Sequence, residues 1–333
     1  MANKIVCWRP MYDPSGHELL RATGAEVEII DMPDAQAVAA AIKDAHALWV
    51  RTPERVDAEL MDAGDNLVVI STSGFGTDNI DLSAATERGI LVVNHQGFGR
   101  TPVAEHSIML MLAALKQLIW SDRATRDASA WATRSAMRIY ELEGKTVGLV
   151  GLGYIGAELA KKLRLGFNCR VLAYDPYVDP RLAHAAGAEV FGDLHTMLKE
   201  CGLLCLTAEL TEETKMIIGS DELAALPNGA VVVNAARGAL LDLDALADAL
   251  DSGHLAAAGL DVVSPEPLPD GHRLLRHPNT VMTPHTAGVT SEATSRLAHS
   301  ACDQITAALE GRLPKFPVNR EAWDSLNSRR PVQ

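Results

Sequence analysis

Residues Thr146–Asp175 read TVGLVGLGYIGAELAKKLRLGFNCRVLAYD, and their order decides how the rest of the chain is read. A short apolar run with β-branched residues, Thr146–Val150, meets Gly151-Leu152-Gly153-Tyr154-Ile155-Gly156 at once. An amphipathic stretch follows, then a second apolar run that ends in Asp175. This order predicts strand, tight turn, helix, strand and acid. In it, Gly151 permits the turn, Gly153 lets the backbone approach a pyrophosphate, and Gly156 lets helix and strand pack, while the helix N-terminus offers free N–H groups to the phosphates. Tyr154 and Ile155 belong to the same turn and join the cofactor-binding set. An isolated GxGxxG often marks an ordinary glycine-rich turn; here the strand before it, the helix after it and the acid about 20 residues on occur together. Asp175 can accept both hydroxyls of an adenosine ribose and would repel a 2′-phosphate, and Pro176-Tyr177-Val178 supplies no arginine. NAD is therefore expected rather than NADP.

The chain of 333 residues exceeds the usual size of one compact core, so two domains are expected. Its apolar share of 47% is ordinary for a globular protein, and 22% charged is too moderate for disorder. A net charge of −13 argues against nucleic acid or an anionic membrane as a partner, because both need a basic face. Cys7, Cys169, Cys201, Cys205 and Cys302 are scattered and odd in number, which reads as reduced, buried thiols in a cytoplasmic protein. Cys201 and Cys205 are too far apart for CxxC chemistry, and no metal site is expected. The start, MANKIVCW, lacks the long apolar segment of a signal peptide, and the apolar stretch around Ser107–Ile119 is too short for a bilayer and contains Lys116.

From the first residues onward, apolar runs recur at Lys4–Cys7, Glu26–Ile30, Ala47–Val50, Leu67–Ser71 and Ile90–Val93, with alanine-rich helical patterns between them such as Asp34–Ala45 and Asp57–Ala63. Such alternation predicts a parallel sheet covered on both faces, whose ligands bind beyond the carboxyl ends of the strands. The residues at those ends are Arg9, Arg51, Ser73-Gly74-Phe75-Gly76 and His95. An isolated arginine is usually a solvated charge; the position of Arg9 and Arg51 at strand ends makes them candidates for binding an anionic substrate. Thr101 can cap a helix with Pro102 at its first position, and a long helix is expected from Val103 to about Ala128, where Met109, Met111 and Leu115 read as core or subunit interface. Trp120 and Trp131 are candidate interface anchors. A second alternation runs through Thr146–Val150, Arg170–Tyr174, Leu203–Leu206, Ala230–Asn234, Ala256–Leu260 and Thr280–Thr283. A last amphipathic helix, Thr290–Gly311, is expected to return to the first domain, and the tail after Trp323 reads as polar and loose. The expected division is 1–99 with 290–333 as the substrate domain, and 100–289 as the nucleotide domain.

Three stretches of the second alternation end in reactive residues: Asn234-Ala235-Ala236-Arg237-Gly238, Asp261-Val262-Val263-Ser264-Pro265-Glu266-Pro267 and Thr283-Pro284-His285. All three fall on the sheet edge that carries the glycine turn, so one cation, one carboxylate and one imidazole would surround the nicotinamide. Those groups suit the interconversion of a 2-keto acid and a 2-hydroxy acid. Arg237 can hold and polarise the substrate, and His285 can give or take the hydroxyl proton. Glu266 can fix the tautomer of His285 and favour its protonated form. Singly, they would read as a surface ion pair, a solvated loop acid and a capped loop histidine.

With these residues in hand, the chain resembles the D-isomer-specific 2-hydroxyacid dehydrogenase family from Ile5 to about Val318. The motifs GKTVGLVGLGYIG, NAARGALLD, GLDVVSPEPL and PNTVMTPHTAG carry the resemblance. It implies two α/β domains, a Rossmann NAD-binding domain and a flavodoxin-like parallel-sheet substrate domain, with a cleft between them. It also gives the catalytic roles to Arg237, Glu266 and His285. NAD would be held by Gly153, Ile155, Gly156 and Asp175, with Thr207, Ala235 and Ala236 at neighbouring strand ends and Asp261 near the nicotinamide carboxamide. Gly74–Asp81 resembles the family's substrate loop, and the stretch Pro102–Met137 resembles the arm through which members commonly form homodimers. Two features depart from the pattern. Thr207-Ala208-Glu209 stands where the family often has His-x-Pro, and Phe75 stands where phosphite dehydrogenases usually carry lysine. Glu266 argues against a formate dehydrogenase, which usually has glutamine as the partner of the histidine. A competing reading is a non-catalytic NAD-sensing regulator of the C-terminal-binding-protein type, which keeps the same fold and trio. Arg9 and Arg51, with Arg100 at the junction, supply more positive charge than one carboxylate needs. The expected substrate is thus a small keto or hydroxy acid with a second anionic group (phosphate, sulfonate or carboxylate), with hydroxypyruvate or glyoxylate as the fallback.

Overall fold

The computed structural model describes residues 2–32, 34–126 and 130–329. The chain forms two compact units, one built from the residues up to Gly99 plus those from Val289 onward, the other from Arg100–Gly288.

In the first unit β1 (Lys4–Trp8), β2 (Glu26–Ile30), β3 (Ala47–Val50), β4 (Val69–Ser71) and β5 (Leu91–Val93) form one parallel sheet in the order β2-β1-β3-β4-β5. Side chains alternate across a strand, so Val6, Leu48, Ile70 and Val92 join one apolar layer while Ile5, Trp49, Val69 and Leu91 join the other. The second layer is closed by Leu297, Ala298, Ala301 and Ile305 of the helix Ser291–Leu309, whose N-cap Thr290 accepts from the N–H of Ala293. Beyond that helix the chain returns to the free edge of β5. Val93 bridges Pro317 in antiparallel fashion, and the Asn319 side chain accepts the N–H of Val92 and donates to the Ile90 carbonyl. The segment after Trp323 departs from the loose tail expected of it. A helix spans Arg320–Arg329, with Ala322 and Trp323 buried.

In the second unit β6 (Thr146–Val150), β7 (Arg170–Tyr174), β8 (Glu189–Phe191), β9 (Leu203–Leu206), β10 (Ala230–Asn234), β11 (Leu255–Leu260) and β12 (Thr280–Met282) form a parallel sheet in the order β12-β11-β10-β9-β6-β7-β8. The direction of winding reverses between β6 and β9, where a doubly wound sheet opens its binding crevice. In the first unit the corresponding reversal lies between β1 and β3. The long helix expected from Val103 is two helices, Arg100–Leu115 and Leu118–Arg126, bent by 58° at a break where Gln117 takes a left-handed φ of 49°. Neither glycine nor proline marks that break, and Ala128 lies outside the described residues. Because the first helix begins at Arg100, Thr101 and Pro102 lie within its first turn and do not cap it. Met111 and Leu115 are buried in the core, whereas Met109, Leu118, Ile119, Trp120 and Trp131 are exposed. All five cysteines are buried thiols, and burial pushes Cys7, Cys201 and Cys205 up to about 12. No single helix among the described residues is long and apolar enough to cross a membrane.

Candidate active site

The turn after β6 is built around Gly151, whose φ is 94° and whose missing Cβ would lie 2.6 Å from the Cα and N of Ala208, just beyond β9. The Thr207 hydroxyl donates to the Gly151 carbonyl at 2.6 Å, so the two strand ends on either side of the winding reversal are fastened together. Gly153 is the N-cap of the helix Tyr154–Phe167 and brings no side chain to it; the N–H groups of the first turn are left for a ligand. At the end of β7, Asp175 accepts the Leu152 N–H on one oxygen at 2.7 Å and the Tyr177 N–H on the other at 2.9 Å. Asp175 is thus fixed against the glycine turn, and these residues fit a dinucleotide. The nearest following arginine, Arg181, is exposed and paired with Asp179. A Gly151→Ala chain would need both a strained φ and movement of the Ala208 backbone. NADH affinity measured by fluorescence titration should fall by about 10- to 100-fold. An unchanged affinity would show that this turn does not hold the dinucleotide.

The carboxyl ends of β10, β11 and β12 carry the reactive residues. Asn234, fully buried at the end of β10, donates to the Arg237 carbonyl at 2.9 Å and accepts the Ala236 N–H at 3.1 Å. Its amide braces the loop that presents Arg237, whose guanidinium donates to the Ala236 carbonyl at 2.8 Å. Gly238 has no room for a side chain, because a Cβ there would overlap the backbone of Val263 in the loop that carries Glu266. The N–H of Val263 donates to one Glu266 oxygen at 3.3 Å, and the other lies 2.9 Å from Nδ1 of His285. Both side chains of the pair are partly exposed, 28% for Glu266 and 34% for His285, and His285 adopts a left-handed φ of 54°. Histidine and glutamate therefore meet, and the arginine loop packs directly on the glutamate loop.

Asp261 behaves differently from its neighbours. Its side chain has no exposed surface, and it accepts from the Thr283 hydroxyl at 2.6 Å and from the N–H groups of Thr286 and Ala287 at 2.9 Å each. Burial works against its charge, but His106, Thr283, Ala287 and Thr286 outweigh it and hold the carboxyl below its ordinary value. The sequence alone assigns no role to Asn234, His106 or Thr283. Asn234 ends an unbroken apolar run and His106 sits within an apolar helix, so a buried polar residue was the available signal.

In the first unit the strand-end residues share out differently from expectation. Arg9 is bound to Glu54 at 2.6 Å and lies 3.7 Å from Asp31. Arg51 lies 4.0 Å over the Tyr12 ring and donates to the Pro10 carbonyl at 2.5 Å, while its Nε is buried without a hydrogen-bond partner among the described residues. The Ser73 hydroxyl donates to the Val50 carbonyl at 3.0 Å. The loop Gly74-Phe75-Gly76 is held from β5, where the Asn94 amide donates to the Phe75 carbonyl and the His95 N–H donates to the Gly74 carbonyl, both at 2.9 Å. The His95 ring lies buried beside Ser71, Thr72 and Ser300; burial lowers it to about 4, so it is neutral there. Arg100, in the second unit, lies 3.7 Å from Glu158. Among the described residues no group of three or more His, Cys, Asp or Glu could hold a metal ion.

Residues 108–287 match the model of the D-isomer specific 2-hydroxyacid dehydrogenase, NAD binding domain. The chain is 40% identical over 311 residues to a D-3-phosphoglycerate dehydrogenase of Mycobacterium leprae, covering 92% of this chain but 58% of that protein. It thus spans little more than half the length of that relative. A glyoxylate reductase of Thermofilum pendens is 38% identical over 283 residues, which are 84% of this chain and 83% of the relative. Among solved structures, an NADPH-dependent glyoxylate/hydroxypyruvate reductase of Sinorhizobium meliloti in complex with NADP and malonate superimposes with a TM-score of 0.86 at 28% identity, covering all of both chains. With its NAD-binding domain matched over more than half its length, this chain belongs to the D-isomer specific 2-hydroxyacid dehydrogenase family.

Proposed function

We propose that the chain is an NAD-dependent oxidoreductase that interconverts a small D-2-hydroxy acid and its 2-keto acid. The observation that carries this reading is the 2.9 Å bond between His285 Nδ1 and Glu266, on the same sheet edge as the Gly151 turn. With Glu266 accepting the proton on Nδ1, the other ring nitrogen, Nε2, is the atom left to exchange a proton with the substrate oxygen. Arg237 would hold the substrate carboxylate or polarise its carbonyl by charge-assisted hydrogen bonds, from a loop whose direction is set by Asn234. When bound, the nicotinamide supplies or receives the hydride. Reduction then consumes one proton at the substrate oxygen, which His285 delivers, and oxidation returns it. The exposed Leu118, Ile119, Trp120 and Trp131 support assembly as a homodimer.

The finer assignment of substrate rests on Arg51. Arg9 and Arg100 have carboxylate neighbours, so the cationic excess read from the sequence narrows to one residue. Arg51 stands where the first sheet reverses its winding, and its guanidinium has an aromatic ring and a carbonyl around it but no carboxylate among the described residues. We assign it to a second anionic group of the substrate. Steady-state NADH oxidation with a panel of mono- and dianionic 2-keto acids tests both levels. No turnover with any of them, together with tight NADH binding, would assign the chain to an NAD-sensing regulator. Arg51→Ala should lower kcat/KM for the dianionic acids by roughly 10-fold or more relative to the monoanionic ones. Equal losses would leave hydroxypyruvate or glyoxylate as the better class.

A further inference from the structure

The turn that carries His285 has no regular structure of its own. It follows the three-residue strand β12 (Thr280–Met282), and His285 itself stands in the left-handed region, where an L-residue persists only if its surroundings hold it. Beside the bonds of His285 itself to the Thr283 carbonyl and to Glu266, much of what holds it comes from one residue. Three successive N–H groups converge on Asp261: that of His285 on its backbone carbonyl at 2.8 Å, those of Thr286 and Ala287 on its two carboxylate oxygens at 2.9 Å each. The Thr283 hydroxyl adds a fourth bond at 2.6 Å. Since that hydroxyl gives its only proton to Asp261, its 2.9 Å contact with His106 Nε2 requires the histidine to be the donor. A relay therefore runs from His106, on the helix Arg100–Leu115, through Thr283 to Asp261 and the turn.

We infer that Asp261 is a positioning residue for His285, clamping the turn through its carboxylate, with His106 and Thr283 orienting the clamp. This role is distinct from any contact with a nicotinamide. The side chain has no exposed surface, and each of its oxygens already accepts from the turn. An asparagine cannot substitute, because its NH2 group would face an N–H of the turn where the carboxylate offers a lone pair. The kinetic consequence rests on the proposed hydroxy-acid chemistry; the clamp itself does not.

Hydrogen exchange of the ligand-free protein reads the clamp directly. In Asp261→Asn the amides of 285–287 should exchange on the order of 100-fold faster than in the wild type. The same variant should lose kcat by about 100-fold while NADH affinity stays within about threefold. Should Asp261→Asn fail to fold, Thr283→Val removes only the two bonds of the hydroxyl, to Asp261 and to His106. It should lower kcat by about 10-fold without moving KM, and Thr283→Ser should restore it. Unchanged exchange with a collapse of NADH affinity would overturn the inference and make Asp261 a cofactor ligand. Faster exchange with unchanged kcat would also overturn it, because the position of the turn would then not matter. If the wild type turns over no keto acid, only the proposed reaction fails, and the exchange rates still decide the clamp.

Discussion

Replacing His285 with alanine should lower kcat by about 10²- to 10⁴-fold and leave NADH affinity within a few-fold of the wild type. The imidazole is one-third exposed and bonded through Nδ1 to Glu266, so its removal takes away the proposed proton donor without opening the core. One complication is the backbone, since alanine is less at ease than histidine or asparagine at a φ of 54°. His285→Asn supplies the control, as it keeps the conformation and lacks the acid–base group. Both variants should be slow, and both should bind NADH. Loss of NADH binding in the alanine variant alone would trace the defect to the turn; loss in both would make the histidine part of the cofactor site and not of the chemistry.

The second large effect is expected from Gly238→Ala. The new methyl group would overlap the backbone of Val263 and approach the N of Ser264 to 2.6 Å. No rotamer can turn a Cβ away, so the loop bearing Arg237 and the loop bearing Glu266 must part. Overpacking of this kind costs about 1–3 kcal/mol, and in a unit of this size it should lower Tm by several degrees, roughly 2–4 °C per kcal/mol. kcat/KM should fall about 100-fold, because arginine and glutamate move relative to each other. Full activity with a lowered Tm would mean that the two loops need not keep register for catalysis.

The fold class was legible in the sequence because parallel strands buried on both faces are continuous apolar runs. Glu26–Ile30, Ala47–Val50, Thr146–Val150, Arg170–Tyr174, Leu203–Leu206 and Ala230–Asn234 begin and end where those runs do. The strand β8, Glu189–Phe191, left no such trace, being three residues long, at the sheet edge, with Val190 exposed. The helix break at Gln117 was silent because ordinary side chains line it. At the site, the meeting of His285 with Glu266 could be anticipated from strand ends that share one sheet edge. The state of Arg9 could not, since Glu54 lies 45 positions away and only folding brings it near. The clamp on Asp261 is illegible for another reason. Two of the donors that occupy its carboxylate are main-chain amides, and an amide has no letter in a sequence.

The first unit is assembled from two segments that lie before and after the second unit in sequence, and this bears on how the protein is made. Trp49, Val69 and Leu91 share a layer with Leu297, Ala298, Ala301 and Ile305, and β5 is bordered by Pro317 and Asn319. On a ribosome adding roughly 5–20 residues per second, the five strands of this sheet emerge some 10–40 s before the helix that covers one face of it. The second sheet, by contrast, is complete as soon as its last strand has emerged. Order of synthesis and order of completion are thus reversed: the strands made first are closed last, and during that interval their apolar face is the one most in need of a chaperone.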